Sequence, residues 1–331
     1  MRAPEFWQSD NPLARLLEPV GQIVGGITAR RALRAPSVRA GVPVLCVGNL
    51  TTGGTGKTPV VGSIVRRLAA QGRTPAVVMR GYGGSLKGPV QVDTRLHTVD
   101  DVGDEAMLHA RRGMVWVSRE RGAAAAPAAA AGADVLVMDD GHQHASLAKD
   151  MTFLVVDGRT GFGNRRLFPA GPLREPIASG LARADAAIIM GEDRRGIAKE
   201  LAEHLPVLWA HLVPGPERAR LHGQRVVAFA GIGDPEKFYH TLRDIGARVS
   251  AFHPFEDHYA FNTADIQPIL DEAFSIGAIP VTTEKDAVRL DPDQRQQVDV
   301  LSVDVEWERP EALDALLEKA LAKASRASAP K

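Results

Sequence analysis

The chain has 331 residues, 44% of them hydrophobic, with 40 basic and 40 acidic side chains. That length allows two domains of ordinary size, and the charge balance gives no support to nucleic acid as a partner. A single cysteine, Cys46, excludes an internal disulfide and a cysteine-pair zinc site, and it fits a reducing, cytosolic compartment.

Residues 1–11 carry Phe6 and Trp7 but no basic cluster, so a signal peptide is not expected. Residues 12–29 are largely apolar yet interrupted by Arg15, Glu18 and Pro19, short of the ~20 apolar residues a spanning helix needs. Arg30, Arg31, Arg34 and Arg39 follow. Aromatics before an apolar stretch and arginines after it suit a helix lying in a membrane surface, with the arginines on the cytoplasmic side. The alternative is an amphipathic helix packed on the protein's own body.

The stretch Val44–Pro59, VLCVGNLTTGGTGKTP, reads as strand, phosphate loop and helix start. Successive backbone N–H groups in such a loop form a concave anion site, to which the helix adds its positive end. The expected nucleotide-binding residues are Thr51, Thr52, Gly53, Gly54, Thr55, Gly56, Lys57 and Thr58. Lys57 would reach the β- and γ-phosphates and the Thr58 hydroxyl would ligate Mg²⁺. Thr51 stands where the usual pattern has its first glycine.

A helix is expected over Lys57–Gln71, then strands over Thr74–Met79, Met114–Ser118, Asp134–Asp140, Met151–Asp157 and Ala184–Met190. The first of these ends in Arg80-Gly81-Tyr82-Gly83-Gly84, where Tyr82 either stacks on a ligand or makes a plain turn. In the helical stretch Asp100–Arg112, Gly103 places Asp104 and Glu105 in a first turn. There they are dipole partners, or supply a carboxylate aimed at the phosphate site. Arg119 and Arg121 follow a strand end and could clamp phosphate, or simply be solvated. DVLVMDD ends in Asp139 and Asp140, as a strand beside the phosphate loop does when it holds Mg²⁺. The nearby His142-x-His144 is read as better explained without a transition metal. Gly161–Pro176 is too rich in Gly and Pro for a regular element and reads as a shaped functional loop.

Residues 208–223 read as a linker or hairpin. Beyond them, strands over Arg225–Ala230, Arg248–Phe252 and Ala278–Thr283 alternate with helices, so this half is also α/β. A last helix is expected over residues 309–323.

Taken together, GNLTTGGTGKTP, RGYGG, VGDEAML, VMDDGHQH, LFPAGPLREP, FEDHYAF and TTEKDAVRL resemble the tetraacyldisaccharide 4'-kinase family, the lipid A kinases of Gram-negative bacteria. The resemblance implies an α/β fold: a P-loop NTPase core with a mostly parallel sheet, a smaller C-terminal α/β domain, and a membrane-associated N-terminal helix. The corresponding division is 1–35 for the helix and its basic flank, 36–210 for the kinase domain, 211–224 for a linker, 225–325 for the smaller domain and 326–331 for a tail. It implies transfer of the ATP γ-phosphate to the 4'-hydroxyl of a tetraacyl glucosamine disaccharide 1-phosphate, with ATP and Mg²⁺, at the cytoplasmic face of the inner membrane. By motif, Lys57, Asp104 and His258 carry catalysis, with Asp104 as base and His258 its partner. Asp139, Asp140 and Glu175 lie near the metal with Thr58. Tyr82 in RGYG and Arg174 in PLRE match active-site positions on the substrate side, to which the strand-end reading above adds Arg119 and Arg121 as candidates. Two departures from the pattern are His142, where an aromatic is expected, and Glu256, where Pro or Ala is.

Two rival readings are weighed. A membrane-bound switch ATPase commonly carries a second lysine early in the loop, where this chain has Thr51-Thr52. A GTPase would need Asn-Lys-x-Asp, which Thr283-Glu284-Lys285-Asp286 is not.

Overall fold

The computed structural model describes residues 4–327, with side chains to residue 324. The strands are β1 (Val44–Gly48), β2 (Pro75–Met79), β3 (Val90–Gln91), β4 (Met114–Val117), β5 (Val135–Asp139), β6 (Met151–Asp157), β7 (Ala186–Met190), β8 (Val207–Pro214), β9 (Arg225–Ala230), β10 (Arg248–Pro254), β11 (Ile279–Thr283), β12 (Asp299–Leu301) and β13 (Val303–Trp307). Among the described residues they form a nine-stranded sheet, ordered β13-β8-β7-β6-β1-β5-β2-β4-β3, and a four-stranded sheet, ordered β10-β9-β11-β12.

In the large sheet the strands from β4 to β8 run parallel, and β3 and β13 pair antiparallel at the two edges. β1 is central and every residue of it is buried, as continuous apolar runs are in parallel sheets covered on both faces. Helix α2 (Lys57–Ala70) covers one face with Val60, Val61, Ile64 and Leu68. Each large apolar side chain fully buried there contributes roughly 1.5–3 kcal/mol. β5 lies beside β1, with Asp139 level with Val47 at the carboxyl end of both strands.

The smaller sheet is wholly parallel, with the helices Pro235–Asp244 and Thr263–Ser275 on its two faces. One expectation is corrected here: residues 303–325 do not belong to this unit. Val305 and Trp307 alternate inward along β13, Trp307 Nε1 donates to the buried Ser63 Oγ at 2.9 Å, and the helix Pro310–Ala327 lays Leu313 and Leu317 on the large core. The smaller unit is thus inserted between β8 and β13. Residues 211–214, read as linker, continue β8, where they pair antiparallel with residues 303–306 of β13. Of the tail, 326 and 327 are helical and 328–331 lie outside the described residues.

Helix α1 (Pro12–Ala32) is capped by the Asn11 side chain, which accepts from Ala14 N at 2.9 Å. It docks on the loop after β6 through its small residues: a side chain at Gly21 would strike the Leu167 carbonyl and one at Gly25 the Leu167 side chain. Arg166 bonds Glu18 and Asp10 across this contact. The other face carries Leu13, Leu16, Val20, Ile23 and Ile27, all exposed and spaced by three and four residues. Among the described residues no helix is long and apolar enough to cross a membrane.

Candidate active site

The glycine-rich loop is fixed from both sides before α2 begins. Thr52 N donates to Pro172 O at 2.8 Å and Arg174 N to Leu50 O at 2.7 Å, so the LREP segment forms one wall. Asn49 Nδ2 donates to Thr51 O at 2.7 Å, within the loop. Gly56, at φ +87°, turns the chain into α2 in a conformation that a side chain would strain. The N-cap, Gly56, has no side chain to offer the first turn of α2, and an uncapped helix start of this kind is a place where an anion can bind. Lys57 is mostly buried beside this turn, with Nζ 3.6 Å from Asp140 Oδ1.

Three carboxylates approach the loop. Asp139 is buried at the end of β5, where His109 Nε2 donates to its Oδ2 at 3.0 Å. Asp140, in left-handed backbone at φ +50°, accepts from Arg174 Nη1 at 2.9 Å on both oxygens, and Arg121 Nη2 donates to its carbonyl at 3.1 Å. Burial opposes the charge of Asp140, but Lys57 and Arg174 outweigh it and hold the carboxyl below its usual range. Glu105 is the third, with Oε1 3.5 Å from Thr58 Oγ1. Burial, and then the charges of Asp139 and Asp104, push the Glu105 carboxyl up. A hydroxyl and neighbouring carboxylates form a hard-oxygen donor set, of the chemistry a small divalent cation takes. Among the described residues no group of three or more His, Cys, Asp or Glu is arranged to hold a metal ion by itself.

Asp104, one residue before Glu105, faces the other way. Gly103 at φ +89° starts this helix, Asp104–Ala110, as a fresh turn rather than a continuation of the preceding one. Asp104 Oδ2 lies 2.9 Å from His258 Nδ1 and accepts from Arg289 Nη2 at 2.5 Å, while Oδ1 accepts the Glu105 N–H at 2.8 Å. Burial opposes its charge, but the bonds from His258 and Arg289 and the charge of Arg289 hold its carboxyl well below the usual range. Lys285 Nζ lies 3.1 Å and Asp257 Oδ1 3.8 Å from His258 Nε2, the ring nitrogen that does not meet Asp104. His258, Lys285 and Arg289 all come from the smaller unit.

Several expected site residues lie elsewhere. Glu175 is fully buried and takes Arg183 Nη2 at 2.6 and 2.8 Å and Gln143 Nε2 at 3.0 Å, so it braces the loop wall and does not join Thr58 and Asp139. The two arginines after β4 do not form a clamp: Arg119 is exposed, whereas Arg121 is buried under Asp140. Tyr82 is three-quarters exposed on its turn. His142 is buried and donates from Nε2 to Gly180 O at 3.1 Å, and burial pushes its pKa down to about 3, consistent with a packing role. Glu105 and Arg289 were within the quoted motifs, but no spacing marks which of two adjacent acids faces the loop.

A family model described as tetraacyldisaccharide-1-P 4'-kinase matches residues 13–322. The chain belongs to the tetraacyldisaccharide-1-P 4'-kinase family. A relative from Rhodospirillum rubrum, named tetraacyldisaccharide 4'-kinase, is 56% identical over 323 residues, covering 96% of this chain and 98% of its own. One of the same name from Paramagnetospirillum magneticum is 52% identical over 320 residues, with the same coverage of both chains. The crystal structure of the "apo" form of LpxK from Aquifex aeolicus in complex with ATP matches with a TM-score of 0.75 at 27% identity, covering 93% of this chain and 99% of that one. As a member of this family the chain is a kinase.

Proposed function

We propose that the chain transfers the γ-phosphate of ATP, with Mg²⁺, to the 4'-hydroxyl of a tetraacyl glucosamine disaccharide 1-phosphate, working at the cytoplasmic face of the inner membrane. The observation that carries the chemistry is the divergence of two adjacent carboxylates: Glu105 meets Thr58 at the glycine loop, and Asp104 meets His258 from the smaller unit. Donor and acceptor ends of the reaction are thereby held one residue apart.

The loop amides and Lys57 would grip the β- and γ-phosphates, and the charge of Lys57 counters that building up on the transferred group. Bound magnesium would neutralise phosphate charge, held by Thr58 and Glu105 with Asp139 behind them. Asp104 is ionised at neutral pH. Its part is to accept a hydrogen bond from the 4'-hydroxyl and aim that oxygen in line with the γ-phosphorus. Transfer of this kind proceeds through a loose transition state, so the proton leaves late and a weak base suffices. His258 steadies the carboxylate, and closure of the smaller unit completes the site.

Membrane association is supported by α1, which docks by its glycine face and turns an apolar stripe outward, with Arg30, Arg31 and Arg34 following the stripe. An exposed row of this kind, followed by arginines, fits the surface of an anionic bilayer. The test is to supply the lipid acceptor with labelled ATP and follow phosphate into a doubly phosphorylated product. Hydrolysis of ATP at equal rate with and without acceptor, and no labelled lipid, would identify a switch ATPase instead.

A further inference from the structure

We propose that Arg289 is a positioning residue for phosphoryl transfer, locking Asp104 to the smaller unit so that the acceptor site is complete only when the two units are closed. The inference rests on the kinase reading above. The Arg289 side chain is 5% exposed. Its Nη1 donates to Gly231 O at 3.0 Å and to Asp286 Oδ1 at 2.9 Å, both in the smaller unit, and its Nη2 donates to Asp104 Oδ2 at 2.5 Å in the large unit. Asp286 is itself buried and held by Thr283 Oγ1 at 2.7 Å. The guanidinium therefore cannot drift: its planar fork is set by two acceptors behind it and presents one edge to Asp104.

The consequence is directional. An ionised carboxylate has about four acceptor positions. Arg289 and His258 take the two on Oδ2, and the Glu105 N–H takes one on Oδ1. The remaining position is on Oδ1, the oxygen bonded to the first residue of the phosphate side. With both Oδ2 positions taken, Arg289 leaves the acceptor hydroxyl the free position on Oδ1. Without it, Oδ2 regains a free position, the carboxylate rotates, and the hydroxyl loses its alignment. A lysine is a point charge and cannot reach three acceptors in one plane.

The experiment compares Arg289→Gln, Arg289→Lys, Asp104→Asn and the Asp104→Asn/Arg289→Gln double variant. Steady-state transfer to the lipid acceptor is measured, with affinity for a fluorescent ATP analogue as a separate readout. Wild-type transfer checks the kinase reading on its own, because its absence would overturn that reading whatever the variants do. Arg289→Gln is expected to lower kcat about a hundredfold, the scale of an ångström's misplacement, with analogue affinity unchanged. Arg289→Lys recovers part of the loss, and added guanidinium recovers part of it in Arg289→Gln. In the Asp104→Asn background Arg289→Gln costs no more than about twofold, whereas independent effects multiply. The proposal is overturned if Arg289→Gln multiplies the loss in that background, if analogue affinity falls in step with kcat, or if Arg289→Gln and Arg289→Lys both keep wild-type kcat. Should Arg289→Gln not fold, Arg289→Lys alone and with Asp104→Asn gives the same comparison.

Discussion

Replacing Leu16 and Ile23 by glutamine tests whether the outward stripe of α1 is a lipid contact. Both side chains already face solvent, at 75% and 66% exposure, so the fold loses little when they become polar. Helix α1 stays docked, because its contact runs through Gly21 and Gly25 on the opposite face. Full burial of one such side chain is worth roughly 1.5–3 kcal/mol. Scaled by the area still free on each, the pair would give up about 3 kcal/mol of transfer into lipid, and at 1.4 kcal/mol per decade that weakens partitioning by about 150-fold. The assay is sedimentation with sucrose-loaded vesicles of phosphatidylethanolamine and phosphatidylglycerol, with transfer to detergent-dispersed acceptor as a control. The control activity should remain. A double variant that sediments with vesicles as wild type does would refute the stripe as the membrane contact.

Other expectations follow from the site. Glu105→Gln removes a carboxylate next to Thr58, so the magnesium concentration for half-maximal activity should rise, with ATP-analogue affinity measured without metal unchanged; an unaltered metal requirement would remove Glu105 from the donor set. Glu175→Gln leaves Arg183 without its buried partner and should cost about 3 kcal/mol in urea unfolding, while the magnesium requirement stays put; the reverse pattern would restore Glu175 to the metal site. His142 is held neutral by burial, with its pKa down to about 3, whereas the unfolded chain takes up that proton near pH 6.5. Its contribution to stability is therefore intact above the unfolded value and shrinks as pH falls through the window toward about 3. Between about pH 7 and about pH 5 the loss from this one group is roughly 2 kcal/mol. His142→Phe, which does not titrate, should lose that much less stability over the same interval, and an equal pH dependence in the two proteins would contradict it.

The phosphate-loop stretch was legible because its signal is local: an apolar run, glycines and Gly-Lys-Thr occupy one strand–loop–helix turn. The acidic end of β5 was legible for the same reason. What the sequence hid depends on direction and on long-range pairing. Asp104 and Glu105 are neighbours, yet they part at the helix start created by Gly103, and no spacing tells which acid faces the loop. Arg174 and Glu175 are a similar pair in an extended segment: the arginine turns to Asp140 and the glutamate turns back to Arg183. The return of β13 to β8 was masked by Pro214-Gly215-Pro216, which reads as a domain linker although the chain comes back to the same sheet. Arg289 lies 185 residues from Asp104 in the chain, so only the packing of the two units brings them together.

The most direct measurement is transfer from [γ-³²P]ATP and Mg²⁺ to tetraacyldisaccharide 1-phosphate by wild type and by Lys57→Ala. Wild type should yield a doubly phosphorylated lipid, and Lys57→Ala should be slower by at least about a hundredfold, the scale of losing one charge-stabilising donor. Equal labelling of the lipid by both proteins, or ATP breakdown with no label in the lipid, would contradict the assignment of the glycine loop and its lysine to phosphoryl transfer.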